Sequence, residues 1–285
     1  MLKVDPKDRP VLTTVLPHEK KSIKERTAQI FFEEFNVPVF YCFVDSLLAL
    51  YGSGKTTGLV LNSGEDVTSA LPIHDGSPIY HAQVMTDFGG SDLNMYLYSL
   101  ITNKKENQHI SIDTEIARKI KEAKCQCAYE YDKEMESYKN QSNKSQFYEL
   151  PDGEGVRIQL DEEVLQCPEI CFNPSLIGKQ IPGVHEIIFE SIKKCENEVR
   201  REMYSNIILA GGNTMVNNFY NRINKELTVL APNSLKTKIT SNSDRNCLVW
   251  MGGAVVSSLT TFQSMWITRS DYDENGPSVV HRKCL

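Results

Sequence analysis

Apolar positions recur along the chain with two periods, and their alternation predicts the elements. PVLTTVL (10–16) is a short apolar run that reads as a strand. Over 18–36, Ile23, Thr27, Ile30, Phe31 and Phe35 return at three- and four-residue steps, the stripe of an amphipathic helix, with Asn36 and Pro38 as its stop. The most apolar stretch, VPVFYCFVDSLLALY (37–51), carries Pro38 and Asp45, is too short to span a bilayer and reads as buried core. Residues 58–76 read as two strands around a glycine-containing turn, and 79–86 as another strand. DFGG (87–90) leads into a helix with Leu93, Tyr96, Leu97 and Leu100 on one face. Ile112, Ile116, Ile120, Ala123 and Cys127 predict one long helix over 111–137. A polar loop over 139–146 precedes a hairpin over 147–160 with a Pro-Asp-Gly turn. Ile188, Ile192, Cys195, Val199 and Met203 predict a helix over 185–203. IILAGGNT (207–214) reads as a strand running into a Gly-Gly turn, followed by a helix carrying Met215, Phe219, Ile223, Leu227 and Leu230. The same plan is read at 248–262, LVWMGGAVVSSLTTF. Helices alternate with strands and glycines follow strands, so the expected class is α/β.

Composition narrows the picture slightly. With 285 residues, the prior is about two domains. A chain that is 40% hydrophobic and 24% charged has material for a core, which excludes wholesale disorder. The net charge of −6 gives no basic excess for nucleic acid. The first residues, MLKVDPKDRP, lack the apolar segment of a secretory signal. Among eight cysteines, Cys125-x-Cys127 and Cys167-x3-Cys171 do not pair into a zinc pattern. Reduced, mostly buried thiols and no metal ligand set are therefore expected, and Cys284 stands next to last rather than at the prenylation position.

Ala-Leu-Tyr-Gly-Ser-Gly-Lys-Thr (49–56) fits a relaxed phosphate-loop pattern. Its flanks are inverted, however: helix-like spacing precedes it and a strand follows. A helix-to-strand turn, with Lys55 exposed on it, is the better reading. Three quieter features fit one another better. A hairpin turn at Gly64 with acidic neighbours can wrap phosphate through backbone N–H groups, although such turns are usually ordinary ones. The Gly211-Gly212 turn lies between a strand and a helix, where backbone approaches a ligand closely. Glu115, Arg118, Lys121 and Glu122 share one helix face, either as a solvated salt-bridged face or as one wall of a nucleotide site.

Longer strings carry a resemblance. YGSGKTTGLVLNSGEDVT, DFGGSDL, EIARKIKEAKC, YELPDG, CPEICFNPSLIG, GVHEIIFESIKKC, LAGGNTM, VWMGGAVVSSLTTFQSMW and DYDENGPSVVHRKCL span the chain in order, and together they resemble the actin family. The resemblance implies the actin-like ATPase fold shared with heat-shock ATPases and hexokinase. Two lobes would hold ATP or ADP with Mg²⁺ or Ca²⁺ in the cleft between them. It assigns 1–88 to the remainder of a first lobe and the start of a second, 89–245 to the second lobe with the nucleotide-facing helix and Gly-Gly loop, and 246–285 to the return into the first lobe and the tail. The match begins inside the family's sequence, which implies that the first phosphate hairpin and a small outer subdomain lie outside this chain.

The resemblance also locates candidate residues. Asp45 falls where the family has the Gln that positions the attacking water, and Asn62 where it has the Asp that helps hold the metal's water shell. Gly64, Glu65, Asp66 and Val67 form the second phosphate hairpin, with Glu65 and Asp66 in place of Asp and Gly. Ser69 replaces a His. Gly90 matches a ribose-facing glycine, and Glu115, Arg118, Lys121 and Glu122 match the ribose and adenine helix. Gly211, Gly212, Asn213, Thr214 and Met215 match the second nucleotide loop, with Val216 for an aromatic residue and Asn246 for a Lys beside the base. These changes imply nucleotide binding that is weak or absent, and impaired or absent hydrolysis. The implied role is cytoplasmic and cytoskeletal. The implied partners are actin or actin-like subunits, actin-binding proteins and cytosolic chaperones, with neither nucleic acid nor membrane. The chain alone is expected to cap or co-assemble rather than form filaments. The alternatives are a truncated, degenerate paralogue without independent function and, least favoured, a small-molecule kinase of the same superfold.

Overall fold

The computed structural model describes residues 4–107, 110–140, 146–150 and 155–284. The Pro-Asp-Gly turn of the 147–160 hairpin and most of the polar loop before it lie outside them.

The chain opens with β1 (Val11–Val15), crosses through α1 (Lys21–Gln29) and returns as β2 (Val39–Val44), parallel to β1. The aromatic and β-branched run VFYCFV suits a buried strand. It passes into α2 (Asp45–Gly52) with no residue between, so 37–51 is core, as expected. The hairpin β3 (Gly58–Ser63) and β4 (Thr68–His74) follows, antiparallel, with Asn62 opposite Ser69. The strand expected over 79–86 is broken: only β5 (Ser77–Pro78) and β6 (Val84–Thr86) pair with β4, and Tyr80–Ala82 is a 3₁₀ turn between them.

After α3 (Gly90–Asn103), the expected long helix is two, α4 (Thr114–Lys124) and α5 (Tyr131–Asn140). Two backbone bonds draw the intervening residues out of helix: Gln126 N–H donates to Val164 O and Cys127 N–H to Asn217 O. Cys127 is buried as the stripe implied, but Ala123 is exposed. The pair β7 (Gln146–Glu149) and β8 (Arg157–Leu160) is the expected hairpin, followed by α6 (Glu163–Glu169). The helix expected over 185–203 is also two, α7 (Val184–Lys194) and α8 (Asn197–Ser205). Cys195 is extended there, and Arg200 donates to Cys195 O at 2.9 Å and Lys193 O at 2.7 Å, capping α7.

β9 (Ile207–Ala210) and α9 (Phe219–Leu230) are the expected strand and helix around the glycine turn, but Met215 lies in a 3₁₀ turn (Gly212–Met215) before the helix rather than on it; β10 (Ile239–Thr240), which the sequence pattern does not point to, follows. The 248–262 segment does not repeat that plan. It is one helix, α10 (Leu248–Ser258), with Gly252 and Gly253 inside it. Its glycines serve a helix crossing: a Cβ on Gly252 would lie 1.8 Å from Leu48 O of α2. The chain ends with β11 (Ile267–Thr268), α11 (Arg269–Asn275) and α12 (Val280–Lys283).

The 18–36 segment differs in phase. Residues Ile30–Glu34 widen into a π turn, closed by Phe35 N–H to Ile30 O at 3.1 Å. The buried positions are Ala28 and Phe32, whereas Ile23 and Phe35 are 46% and 47% exposed. Phe31 stacks on Phe40 and Phe32 on Tyr272.

Besides the β7-β8 pair, the described residues form two larger sheets: β1-β2-β11, and β10-β9-β3-β4-β5 with β6 also on β4. The second sheet is covered on both faces. Leu59, Leu61, Ala70, Ile207 and Leu209 enter one apolar core with residues of α3, α7 and α9. Val60, Leu71, Ile73, Ile208 and Ala210 enter the other with α2, α10 and β2. Among the described residues, no helix is long and apolar enough to cross a membrane.

Candidate functional site

The C-terminal ends of the parallel neighbours β3 and β9, with the end of β2 from the other sheet, bring together Asp45, Asn62, the turn at 64–67 and the loop at 211–214; among the described residues, no hydrogen bond links the α4 candidates to them. Asp45 is the first residue of α2 and 9% exposed; Asn62 sits near the end of β3. The two bond directly: Asn62 Nδ2 donates to Asp45 Oδ2 at 2.8 Å. The other oxygen, Asp45 Oδ1, accepts from the Ser46 amide at 2.5 Å and hydroxyl at 2.9 Å. Burial pushes the Asp45 carboxyl above its ordinary value, against the pull of the Ser46 and Asn62 donors.

A raised folded-state pKa has a definite sign. The group's contribution to stability is fully present below its unfolded pKa and is lost as pH rises through the folded value. Asp45→Asn, with the Asn62 amide turned to present its oxygen, is therefore expected to raise the thermal midpoint at pH 7.5 by about 2–4 °C. The gain should shrink toward pH 4. Circular dichroism melts of both proteins across that range check it; a constant or opposite difference refutes it.

The turn after β3 is closed by Gly64 N–H to Val67 O at 3.0 Å and pinned to the start of α3. Gly90 N–H donates to Gly64 O, and Ser91 N–H to Glu65 O. Both acidic side chains of the turn are engaged there. Ser91 Oγ donates to Glu65 at 3.2 Å and to Asp66 at 3.0 Å, and Asn94 donates to Glu65 at 3.2 Å. Gly90, implied to face a ribose, faces the Glu65 carboxylate: a Cβ there would lie 2.5 Å from Glu65 Oε2.

The Gly-Gly loop lies against this turn. Gly211 has φ +89°, and a Cβ on it would lie 2.2 Å from Ser63 O, so backbone touches backbone. Asn213 bridges the two segments, donating to Gly64 O at 2.6 Å and to Ser63 Oγ at 3.1 Å. Thr214 turns inward to Gly211 O. Gly212 has open space where a side chain would stand, and Met215 is partly exposed beside it. Behind the loop, the Arg245 guanidinium is engaged by the Thr214 and Asn242 carbonyls.

On α4, Arg118 pairs with Glu115 at 2.6 Å and Glu122 at 2.8 Å, and the Glu115 bond holds it above its ordinary range. Lys121 does not share that exposed face: it is 5% exposed. The string 49–56 is the expected helix-to-strand turn, but Lys55 is not free on it. Half-buried, its Nζ donates to Asn206 Oδ1 at 3.0 Å and Thr240 Oγ1 at 3.1 Å, tying the turn to the β9–β10 edge.

Gly212 and the close Ser63–Gly211 approach suit a ligand lying along the loop. The phosphate side suits a polyphosphate poorly: Asp45, Glu65 and Asp66 bring carboxylates, and the nearby Arg245 is turned to the carbonyls behind the loop. No group of three or more metal-type side chains gathers among the described residues. A groove of about 870 Å³ lies elsewhere, between β1 and α10, lined by Leu12, Thr13, Trp250, Gly253 and Trp266; of the candidate residues only Asn246 borders it. The bonds of Asp45, Asn62 and Asn213 are not legible in the sequence, because strand order rather than spacing brings the partners together. Compared with known families, the chain is matched by the family model described as Actin over residues 1–285.

Proposed function

The chain belongs to the actin family, and on that premise we propose that it is an actin-like cytoskeletal protein that binds adenine nucleotide weakly and does not hydrolyse it. The observation that carries this reading is the bonding at Asp45. Its carboxylate is engaged by Asn62 and Ser46, and an ionised carboxylate only accepts hydrogen bonds, whereas an attacking water needs a neighbour that both accepts and donates. Asn62 offers no negative charge to order the waters of a divalent cation. Glu65 and Asp66 add repulsion toward phosphate.

In this proposal, ATP or ADP with Mg²⁺ or Ca²⁺ meets the backbone of Gly64–Val67 and of Gly211–Met215. The base and ribose meet the exposed α4 face of Glu115, Arg118 and Glu122. The partners are actin or actin-like subunits, actin-binding proteins and cytosolic chaperones in the cytoplasm. Neither nucleic acid nor membrane is among them, and the net charge of −6 supports the first of these.

Titration calorimetry of the purified chain with ATP, with and without Mg²⁺, together with a phosphate-release assay, tests the reading. Expected are a Kd weaker than micromolar and phosphate release equal to a no-protein control. A sub-micromolar Kd or sustained phosphate release overturns it.

A further inference from the structure

Six of the eight cysteines lack both exposure and a nearby exposed thiol, or stand alone at the surface; one pair differs. Cys42 lies in the middle of β2 and is fully buried. Cys284 is the first residue after α12 and is half-buried. The Cys42 amide donates to Cys284 Sγ at 3.5 Å, which brings the second sulfur onto the residue that carries the first. They are 242 positions apart in sequence.

Cys284 is not delivered by a loose end. Val280 of α12 is buried, and His281 bonds Glu25 of α1 at 2.8 Å. Lys283 donates to Asp271 at 2.7 Å and to Trp266 O at 3.1 Å. These bonds hold the last turn of the chain over β2, so the two sulfurs meet through anchored backbone. The contact with Cys284 holds the Cys42 thiol below its ordinary range, opposed by burial and helped by the positive charge of Lys24 of α1, whereas the contact with Cys42 and burial push the Cys284 thiol up. Cys125 and Cys167 are both fully enclosed, and the Cys167 thiol donates to Leu93 O. Cys247 is exposed and lines the groove beside α10.

We propose that Cys42 and Cys284 form an intramolecular disulfide on exposure to hydrogen peroxide, a redox-sensitive staple between the central strand of the first sheet and the chain's last residues. The peroxide converts one thiol to a sulfenic acid and leaves as water. The second sulfur attacks the first, its proton leaves with the departing hydroxide as a second water, and the S–S bond forms. Two thiols and one peroxide thus give one disulfide and two waters. The bridge closes a loop that includes nearly the whole chain, and such a loop restricts the unfolded state strongly. It also fixes α12, and with it the Lys283 bonds to Asp271 and Trp266, one wall of the groove beside α10.

The test treats the purified chain with hydrogen peroxide, quenches with an alkylating reagent and maps tryptic peptides without reduction. The expected product joins the peptide containing Cys42 to the C-terminal peptide containing Cys284, in monomeric protein. The thermal midpoint should rise by about 5 °C or more, reversibly with dithiothreitol. Cys284→Ser should abolish both effects, so that its melt is the same with and without peroxide treatment. Cys42→Val should abolish the bridge as well. The proposal is overturned if Cys42 remains alkylatable after oxidation, if Cys284 is recovered joined to another molecule or over-oxidised, or if Cys284→Ser keeps the reversible shift.

Discussion

Gly252→Ala is expected to destabilise the protein by at least about 3 kcal/mol, lowering the thermal midpoint by roughly 6 °C or more. Helix propensity alone predicts the reverse, since Ala in a helix interior gains about 1 kcal/mol over Gly. The crossing of α2 and α10 decides against it. A Cβ on Gly252 would lie 1.8 Å from Leu48 O and 2.6 Å from Leu48 C, and one on Gly52 would lie 2.5 Å from Leu248 O. These are backbone atoms, so no rotamer change makes room. The helices must part, and Leu47, Leu48 and Leu50, all fully buried, lose contacts. Gly253→Ala is the matched control. Its Cβ would meet only Leu12 Cδ2 at 3.4 Å and Leu48 Cδ1 at 3.7 Å, and its effect should be small or stabilising. Equal melting of the two variants would show that the crossing is not tight.

A second large effect is expected at the buried ion pair of α6 and α9. Arg222 meets Glu169 through two parallel bonds of 2.8 Å, with side chains only 9% and 6% exposed. It also donates to Glu226 and to Ala128 O, and lies over the Phe172 ring. Burial pulls the guanidinium pKa down, but the bonds to Glu169 and Glu226 more than offset it. Glu169→Ala leaves that cation enclosed with one partner fewer, at a cost of about 3–5 kcal/mol. Replacing both partners with apolar residues, Glu169→Leu with Arg222→Met, should recover most of the loss, because two desolvated charges disappear together. Urea unfolding of the three proteins measures this. A single variant within 1 kcal/mol of the parent, or a double variant no better than the single one, would refute it.

Much of the architecture was legible in the sequence because it is local. The strand at 11–15, the hairpin over 58–74 and the helix after DFGG each follow from their own residues. What was illegible has non-local causes. Met-Gly-Gly in α10 looks like the Gly-Gly turn after β9; only the neighbouring α2 distinguishes a glycine for crossing from a glycine for turning. The stripe through 112–127 continues past the end of α4 because Cys127 is buried by pairing with Asn217, not by helix. The stripe of α1 slips by one position at its π turn, which puts Phe32 rather than Phe35 in the core. At the site, family resemblance picked out Asp45 and Asn62 separately, as two losses. Their bond makes them one altered unit, and nothing in their spacing reveals it. The bonding of Lys55 is hidden for a similar reason: its partners Asn206 and Thr240 lie more than 150 positions further along the chain.

The sheet that feeds both cores bears on how the molecule comes apart. Along β3 and β9, each residue given to one core is followed by one given to the other. Opening either core strips one face from the same strands and leaves the other face attached to half a support. The halves therefore have no seam between them at this sheet, and neither has a private set of strands to keep when the other is lost. Backbone amides in β3 and β9 are therefore expected at the top of the local stability scale, exchanging with solvent only when the whole molecule opens.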